Sequence, residues 1–551
     1  MTTPPLPQPT FLTLYPLPTI PPTPCIEFLD NNVAPPERQF AAILTSIRSA
    51  EDSMHAIDAE LTRLKVVVDQ YKQRRQELEE FARVHGAVVS SFRRVPPDVL
   101  GEIFRHALPV DGHGEKDLAI LGKIGAVCRQ WRNVAVNTPL LWCRVNVSLL
   151  PGALGDLFIP KQFRRAALNI ERSTTAPLKI HINASERPLD GVAMVHKLFD
   201  LLLLENASRW KEVDLKITPN HLGYIATRGM SFSSVTSLCL SVSGRQRITH
   251  KSARFFASLV SLTELELGFH SSLTVNRQMG IPWAQLRSCI FVNWPLKKLL
   301  STDVLPMLAP FCRLTLRRCR NGDSPFTSLL LRVSSLYIVK CSPEVVRRLL
   351  QISAMPHLKK LVIRKPWARQ WAIFTDDRPF CDHAEQITQF LERSEHELHL
   401  THLGIAFTSA SSLPAFERLL KMPAVSSVSN LELFLPDGRR PFPLAAHAPH
   451  VALAHVPIQV HSKILNRLAD NPELLPELGL LRLLVHSPFD GNILLRLTQH
   501  RQRRLRQIII ENASAMASSK FLTDIVPPET VTVLRKRGVK IALSRSAWAD
   551  V

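Results

Sequence analysis

No two of the nine cysteines stand in a C-x-x-C spacing, and no gap between positions 25, 128, 143, 239, 289, 312, 319, 341 and 381 repeats. That excludes the spacing of a structural zinc site and the dense framework of a small disulfide-stapled fold, so reduced thiols are expected. No apolar run reaches the roughly 18 residues that a bilayer-spanning helix needs. The N-terminus has no basic stretch ahead of an apolar one and is broken by prolines, which excludes a secretory signal of the usual kind. The Asn-x-Ser sequences at Asn146, Asn183, Asn206 and Asn512 then read as chance. A soluble chain of the cytoplasm or nucleus, without a membrane partner, is the expectation. Glycine is scarce, at 20 of 551 residues, and shows no collagen-like period.

Catalytic signatures are also missing. The sequence contains no G-x-S-x-G, no H-E-x-x-H and no EF-hand loop. The segment Asp111–Lys116 has glycines and a lysine but not the spacing that wraps amides around a phosphate, so it reads as a flexible loop. Histidines such as His270 and His357 stand alone and read as surface or internally satisfied residues. No catalytic residue, cofactor or metal is therefore assigned, and the chain is not expected to be an enzyme.

What the sequence has is a 45% apolar composition and 68 basic against 47 acidic residues, a net charge of +21. The excess is uneven, since residues 1–90 carry a net −3. Residues 1–36 hold 11 prolines, which fix φ and remove donors, so a disordered or polyproline-like tail is expected there. Over residues 40–86 the pattern becomes helical. Ile43, Ile47, Ala50, Met54, Ile57, Leu61, Leu64, Val68, Tyr71, Arg75, Leu78 and Ala82 alternate spacings of four and three, the period of a coiled-coil seam, with Gly86 near its end. Such a stripe needs a partner, either a second copy of the chain or a face of the rest of it.

Residues 92–146 read as a small helical module. Pro96 and Pro97 suit a helix start and Asp98 complements its dipole. Val99, Leu100, Ile103, Phe104 and Leu108 line one side. A second helical pattern runs through Ile120, Ile124, Val127, Cys128, Trp131, Val134 and Ala135 and breaks at Asn137-Thr138-Pro139. Val95-Pro96-Pro97-Asp98-Val99-Leu100, Ile103-Phe104, Val127-Cys128-Arg129-Gln130-Trp131-Arg132 and Pro139-Leu140-Leu141-Trp142 together resemble an F-box, in the family's order. Two departures are Val95, where leucine is usual, and a longer, glycine-rich loop at 109–116. A heptad helix leading into such a module is similar to the large F-box groups of mushroom-forming fungi.

From about residue 175 to 545 an apolar-x-x-apolar-x-apolar pattern recurs, starting at Trp210, Val235, Leu262, Leu286, Phe311, Val333, Leu358, Leu400, Val428, Val451, Leu478 and Leu505. Ten of the eleven intervals span 22 to 28 residues, the period of leucine-rich repeats, and one of 42 marks an insertion at 366–380. Ser342-Pro343-Glu344 ahead of VVRRLLQI, and LPAFERLLKM, read as intervening helices. The coils lack an Asn or Cys ladder at fixed positions. Cys312, Cys319 and Cys341 read as buried packing on neighbouring coils. The fold class expected is α/β: an irregular leucine-rich-repeat-like solenoid preceded by a small all-α module and a long N-terminal helix.

Alternation along each repeat strand turns Leu265 and Leu267 inward and Glu266 outward. The same rule exposes Asp214, Lys216, Thr315, Arg317, Tyr337, Val362, Arg364, Glu432, Phe434 and Glu511, with Arg317, Tyr337 and Arg364 as the candidate substrate-binding trio. The basic clusters at Arg501–Arg506 and Arg535–Arg537 read as solvated charge.

The resemblance implies that Pro96, Leu100, Ile103, Phe104, Val127 and Trp131 fill pockets on a Skp-type adaptor and through it reach a cullin. It further implies that the chain selects substrates for an SCF-type ubiquitin ligase. The net +21 over residues 151–551 points to an acidic protein target. Two other readings stand beside it: a non-catalytic interaction scaffold with no ubiquitin role, and nucleic-acid association through the basic repeats, which no interleaved aromatics support.

Overall fold

Strands joined by some 25 residues cannot close hairpins; they must return by a crossover and pair in parallel. The computed structural model has that arrangement. It describes residues 18–30, 33–89, 91–109, 115–149, 153–184, 192–244, 252–268, 279–320, 328–364, 383–394, 398–406, 413–434, 459–485, 490–501, 504–512 and 526–545. Two compact units, Met1–Leu100 and Gly101–Val551, divide the chain within the helix Pro97–Ala107.

The first unit is dominated by one helix of 52 residues, Glu37–Val88. It starts directly after Pro36, whose backbone is extended, and runs two residues past Gly86. Ion pairs one turn apart decorate it, among them Glu60–Arg63 at 2.7 Å, Asp69–Lys72 at 3.2 Å, Arg74–Glu77 at 2.8 Å and Arg75–Glu79 at 2.9 Å. Each contributes a few tenths of a kcal/mol. Among the described residues, Ile47, Met54, Ile57, Leu61, Val68, Tyr71 and Leu78 of its apolar stripe are exposed, as is Phe81 beside it. Upstream, most of the proline-rich stretch lies outside the described residues. A single turn, Ile26–Leu29, forms where prolines are absent, and it buries nothing.

In the second unit the strands are β1 (Arg144–Ser148), β2 (Leu178–Asn183), β3 (Trp210–Ile217), β4 (Ser237–Val242), β5 (Glu264–Gly268), β6 (Ser288–Val292) and β7 (Arg313–Arg317). They continue as β8 (Ser335–Val339), β9 (Lys360–Arg364), β10 (His402–Ala406), β11 (Asn430–Phe434), β12 (Leu480–Val485), β13 (Gln507–Asn512) and β14 (Lys540–Arg545). Among the described residues they form one sheet of fourteen parallel strands in chain order. From Val235 onward each strand begins two residues after the start of its sequence repeat. Val451 lies outside the described residues, and β11 pairs directly with β12. The insertion at 366–380 lies outside them too, and helix His383–Arg393 follows it.

Register explains the core. Leu238, Leu265, Cys289, Leu314, Leu336, Leu361, Leu403, Leu431, Leu481 and Ile508 stand side by side from β4 to β13, all buried. A second row runs parallel through Leu267, Phe291, Leu316 and Ile338. At about 1.5–3 kcal/mol per buried large aliphatic side chain, these rows dominate the packing. Connections carry helices where sequence caps predict them. Ser342 accepts from the Val345 amide at the start of Pro343–Ile352, and Thr218 caps Pro219–Thr227 with His221 as donor.

A further period is visible in the backbone. Asn293, Arg318 and Lys340, each one residue past the end of β6, β7 or β8, have φ of 62°, 54° and 56°. Their amides extend the ladder onto the next coil, Arg318 to the Val339 carbonyl at 2.9 Å and Lys340 to Arg364 at 3.0 Å. The left-handed residue turns the following side chain, Trp294, Cys319 or Cys341, into the core. A two-rung cysteine ladder thus exists where none was expected: the Cys319 amide donates to the Cys341 sulfur at 3.3 Å, and the Cys341 thiol to the Leu316 carbonyl at 3.3 Å.

Candidate functional site

The helical module is built from Pro97–Ala107, Glu115–Val127, Arg129–Asn137 and a 3-10 turn at Pro139–Leu141. The second helical pattern expected from sequence is two helices, broken at Cys128. That residue is extended and its sulfur caps the next helix by accepting from the Trp131 amide at 3.5 Å. The loop before Glu115 lies outside the described residues.

Phe104 is buried and its ring meets Trp131 at a centroid distance of 5.0 Å. Leu121, Ile124, Val134, Ala135 and Leu141 complete an apolar interior. A Cβ at Gly101 would stand 3.2 Å from the Thr138 hydroxyl, a tight contact on this side of the helix. Trp142 donates from its indole nitrogen to the Ala135 carbonyl at 2.7 Å, and the Arg172 guanidinium lies 4.4 Å above its ring. Arg132 satisfies the Gly125 carbonyl at 2.9 Å, closing the end of the preceding helix.

The sequence-predicted adaptor residues therefore separate. Leu100 and Phe104 are covered within the chain and Trp131 is half-buried. Pro96, Ile103 and Val127 are exposed. Exposed large apolar side chains on the module also include Val99 and Leu140. Leu140 had a signal in sequence, its place between Pro139 and the buried Leu141, but nothing there distinguished which of the two leucines faces out.

The module is fastened to the sheet through β1. The Arg144 guanidinium donates to the Pro109 carbonyl at 2.5 Å and lies 3.4 Å from the Asp117 carboxylate, while Asn169 donates to the Arg144 carbonyl at 2.7 Å. Burial pushes the Asp117 carboxyl above its ordinary range, and Arg144 opposes the rise.

On the outward face of the sheet the alternation rule gives the right parity but the wrong exposure for five positions. Thr315, Val362, Glu432, Phe434 and Glu511 are buried. Val362, Ala406 and Phe434 form an apolar cluster with Tyr337 and Leu484 against it, and the Val362 methyl occupies the space that a Cβ on Gly404 would need. The candidate trio is engaged internally. Arg317 faces Glu266 at 3.4 Å, Tyr337 packs on the apolar cluster, and Arg364 lies over the Phe434 ring and donates to Glu432 at 2.9 Å. Arg317 and Arg364 share one register row through Val339, with Tyr337 in the adjacent row.

Chemically this face is quiet. His181 and Asp214 meet at 2.7 Å, with Cys239 in register beside Asp214. The order is histidine, carboxylate, thiol. Burial, with the Asp214 and Glu266 charges, pushes the Cys239 thiol far up, which suppresses a thiolate nucleophile. Cys312 is pushed up to about 12 by burial. Eight cysteines are free, with Cys381 outside the described residues. Among the described residues no group of three or more His, Cys, Asp or Glu is arranged to hold a metal, and no helix is long and apolar enough to cross a membrane.

The basic clusters read as solvated charge are partly structural. Arg501 is buried and donates to the carbonyls of Leu468, Asn471, Leu474 and Leu475, around the end of helix Gln459–Asp470. Arg537 donates to Leu495 at 2.7 Å and Thr498 at 3.1 Å near the end of helix Asn492–His500.

A family model described as F-box-like matches residues 92–148, the helical module together with β1. No curated protein matches the chain.

Proposed function

We propose that this chain is a substrate-recognition subunit of an SCF-type cullin-RING ubiquitin ligase. Residues 92–148 dock a Skp-type adaptor, and the parallel ladder beyond them, an irregular leucine-rich-repeat-like solenoid, holds a protein target. The F-box-like match over residues 92–148 carries this reading. The exposed apolar side chains Ile103, Val127 and Leu140 suit an adaptor groove, with Phe104 and Trp131 as the interior that holds them in place. An acidic target remains the preferred class, addressed by the basic residues not committed to internal caps. The chain itself performs no chemistry.

Co-expression of the full chain with a Skp-type adaptor, followed by size-exclusion chromatography with light scattering, tests this. We expect one-to-one co-elution, lost in the Ile103→Asp and Val127→Asp variants while their circular dichroism stays unchanged. Charging an exposed site leaves the fold intact, whereas Phe104→Asp unfolds the module. Two folded proteins eluting separately would favour the scaffold reading. Binding of the isolated chain to duplex DNA that falls steeply with salt would favour the nucleic-acid reading.

A further inference from the structure

A row of exposed apolar side chains runs along helix Glu37–Val88, and its residues are not interchangeable along its length. In heptad terms the a positions are Phe40, Ile47, Met54, Leu61, Val68, Arg75 and Ala82, and the d positions are Ile43, Ala50, Ile57, Leu64, Tyr71, Leu78 and His85. The order of sizes along this seam differs between the two halves of the helix. That difference specifies how two copies fit.

In a parallel pair each seam residue meets its own copy. Ala50 would face Ala50 and Ala82 would face Ala82, leaving two thin layers, while Arg75 would meet Arg75 at the same depth. In an antiparallel pair with its two-fold axis between Leu61 and Leu64, each a residue meets a d residue of the other copy. The layers become Phe40 with His85, Ile47 with Leu78, Met54 with Tyr71, Leu61 with Leu64, Val68 with Ile57, Arg75 with Ala50, and Ala82 with Ile43. Every small residue then meets a large one. Arg75 can lay its aliphatic stem over Ala50, and its guanidinium already has a counter-ion in Glu79 of its own helix, 2.9 Å away.

The flanking charges select the same register. At the e positions this pairing sets Lys65 beside Asp58 and Lys72 beside Glu51. A slip of one heptad in one direction sets Asp58 against Asp58; in the other it sets Lys65 against Lys65 and Glu51 against Glu79. Like charges on facing flanks disfavour both slips. A parallel pair also has favourable flanks, Glu60 with Lys65 and Arg74 with Glu79, so the seam sizes and Arg75 decide the orientation.

We infer that helix Glu37–Val88 is a self-association surface that pairs two copies of this chain antiparallel, centred between Leu61 and Leu64. The helix is about 78 Å long at 1.5 Å per residue. In such a pair the two Val88 ends lie at opposite ends of the paired segment.

Light scattering on the full 551-residue chain tests each part of this. At tens of micromolar the mass is expected to be twice 62.0 kDa. Leu61→Glu should give the monomer mass with unchanged circular dichroism, since Leu61 is exposed in the single chain. Ala50→Glu distinguishes the orientations. Antiparallel pairing sets the new carboxylate beside Arg75 and keeps the dimer; parallel pairing sets two carboxylates together and loses it. Adding Arg75→Glu to Ala50→Glu should then weaken the dimer at least ten-fold. A monomeric, trimeric or tetrameric wild-type chain, a dimer that survives Leu61→Glu, a monomeric Ala50→Glu variant or an undisturbed double variant would each overturn the inference.

Discussion

Glu432→Gln is the substitution for which the structure gives the clearest magnitude. Glu432 is almost fully buried on the outward face of β11, yet two guanidinium groups and an imidazole surround it: Arg364 at 2.9 Å from β9, Arg482 at 3.2 Å from β12, and the His402 ring at 3.2 Å from β10. Burial alone would push the carboxyl up. The contacts with His402 and then Arg364 outweigh burial and hold it at about 2, against an ordinary 4.5. That difference is worth about 3 kcal/mol at neutral pH, in line with roughly 3–5 kcal/mol when one member of a buried ion pair is removed. The sign follows from the lowered value: the stabilisation is complete above pH 4.5 and is lost as pH falls toward 2. Because the four groups come from four consecutive strands, β9 to β12, the loss should be local. Hydrogen exchange at pH 7 is expected to accelerate on the order of 100-fold in the amides of β10 and β11, with β3 and β4 unchanged. Unaltered exchange in β10 and β11 would refute the reasoning and mean that water already screens the cluster.

Other outcomes follow from the same contacts. His221 is buried against His196, and burial holds its imidazole neutral at about 4 instead of 6.5. Stability is therefore expected to be complete above pH 6.5 and to fall by up to about 3 kcal/mol as pH drops toward 4. A His221→Phe variant lacking this slope in thermal melts between pH 7 and 4.5 would confirm the assignment. Arg501→Met keeps the stem but leaves four carbonyls without their shared donor, which should destabilise the last coils by about 2–4 kcal/mol in urea titrations. Gly404→Val meets the Val362 side chain at contact distances too short to hold and should lower the midpoint of the same titration, whereas Gly223→Ala, with open space at its Cβ, should not.

The parts of the fold that were legible are those set by period. Leu314, Leu336 and Leu361 recur at steps of 22 and 25 residues because each parallel strand must return a leucine to the same depth in one continuous core. The helix of residues 40–86 was legible for the same reason, as was the helix start at Pro97. The outward face was not legible. Parity says that Val362 and Glu432 point away from the helices, but their burial depends on what neighbouring coils place beside them: Gly404 and Phe434 for one, Arg364 and Arg482 for the other. Residues 42 to 72 apart in the chain decide that exposure, and no local pattern carries it. Likewise the adaptor candidates share a motif, yet helix geometry alone sorts Phe104 inward and Ile103 outward.

The net charge is the place where sequence and structure lead to different physics. An excess of +21 invites a search for an acidic partner. Four of the arginines, however, perform one repeated internal task, each standing at or just after the end of one helix and reaching back to the exit of the preceding one. Arg209 donates to the Ala176 carbonyl and Ser173, Arg393 to Leu350 and Gln351, Arg501 to the turn Leu468–Leu475, and Arg537 to Leu495 and Thr498. A guanidinium suits this task because it offers five donors to carbonyls that also carry the negative end of the helix dipole. Lysine, with a point charge and no planar fork, satisfies fewer of them. Part of the basic excess is thus the means by which one helix end grips the next, and it is spent on packing rather than on a partner. Substituting the capping arginines should lower stability, whereas substituting basic residues on the open face should leave it nearly unchanged.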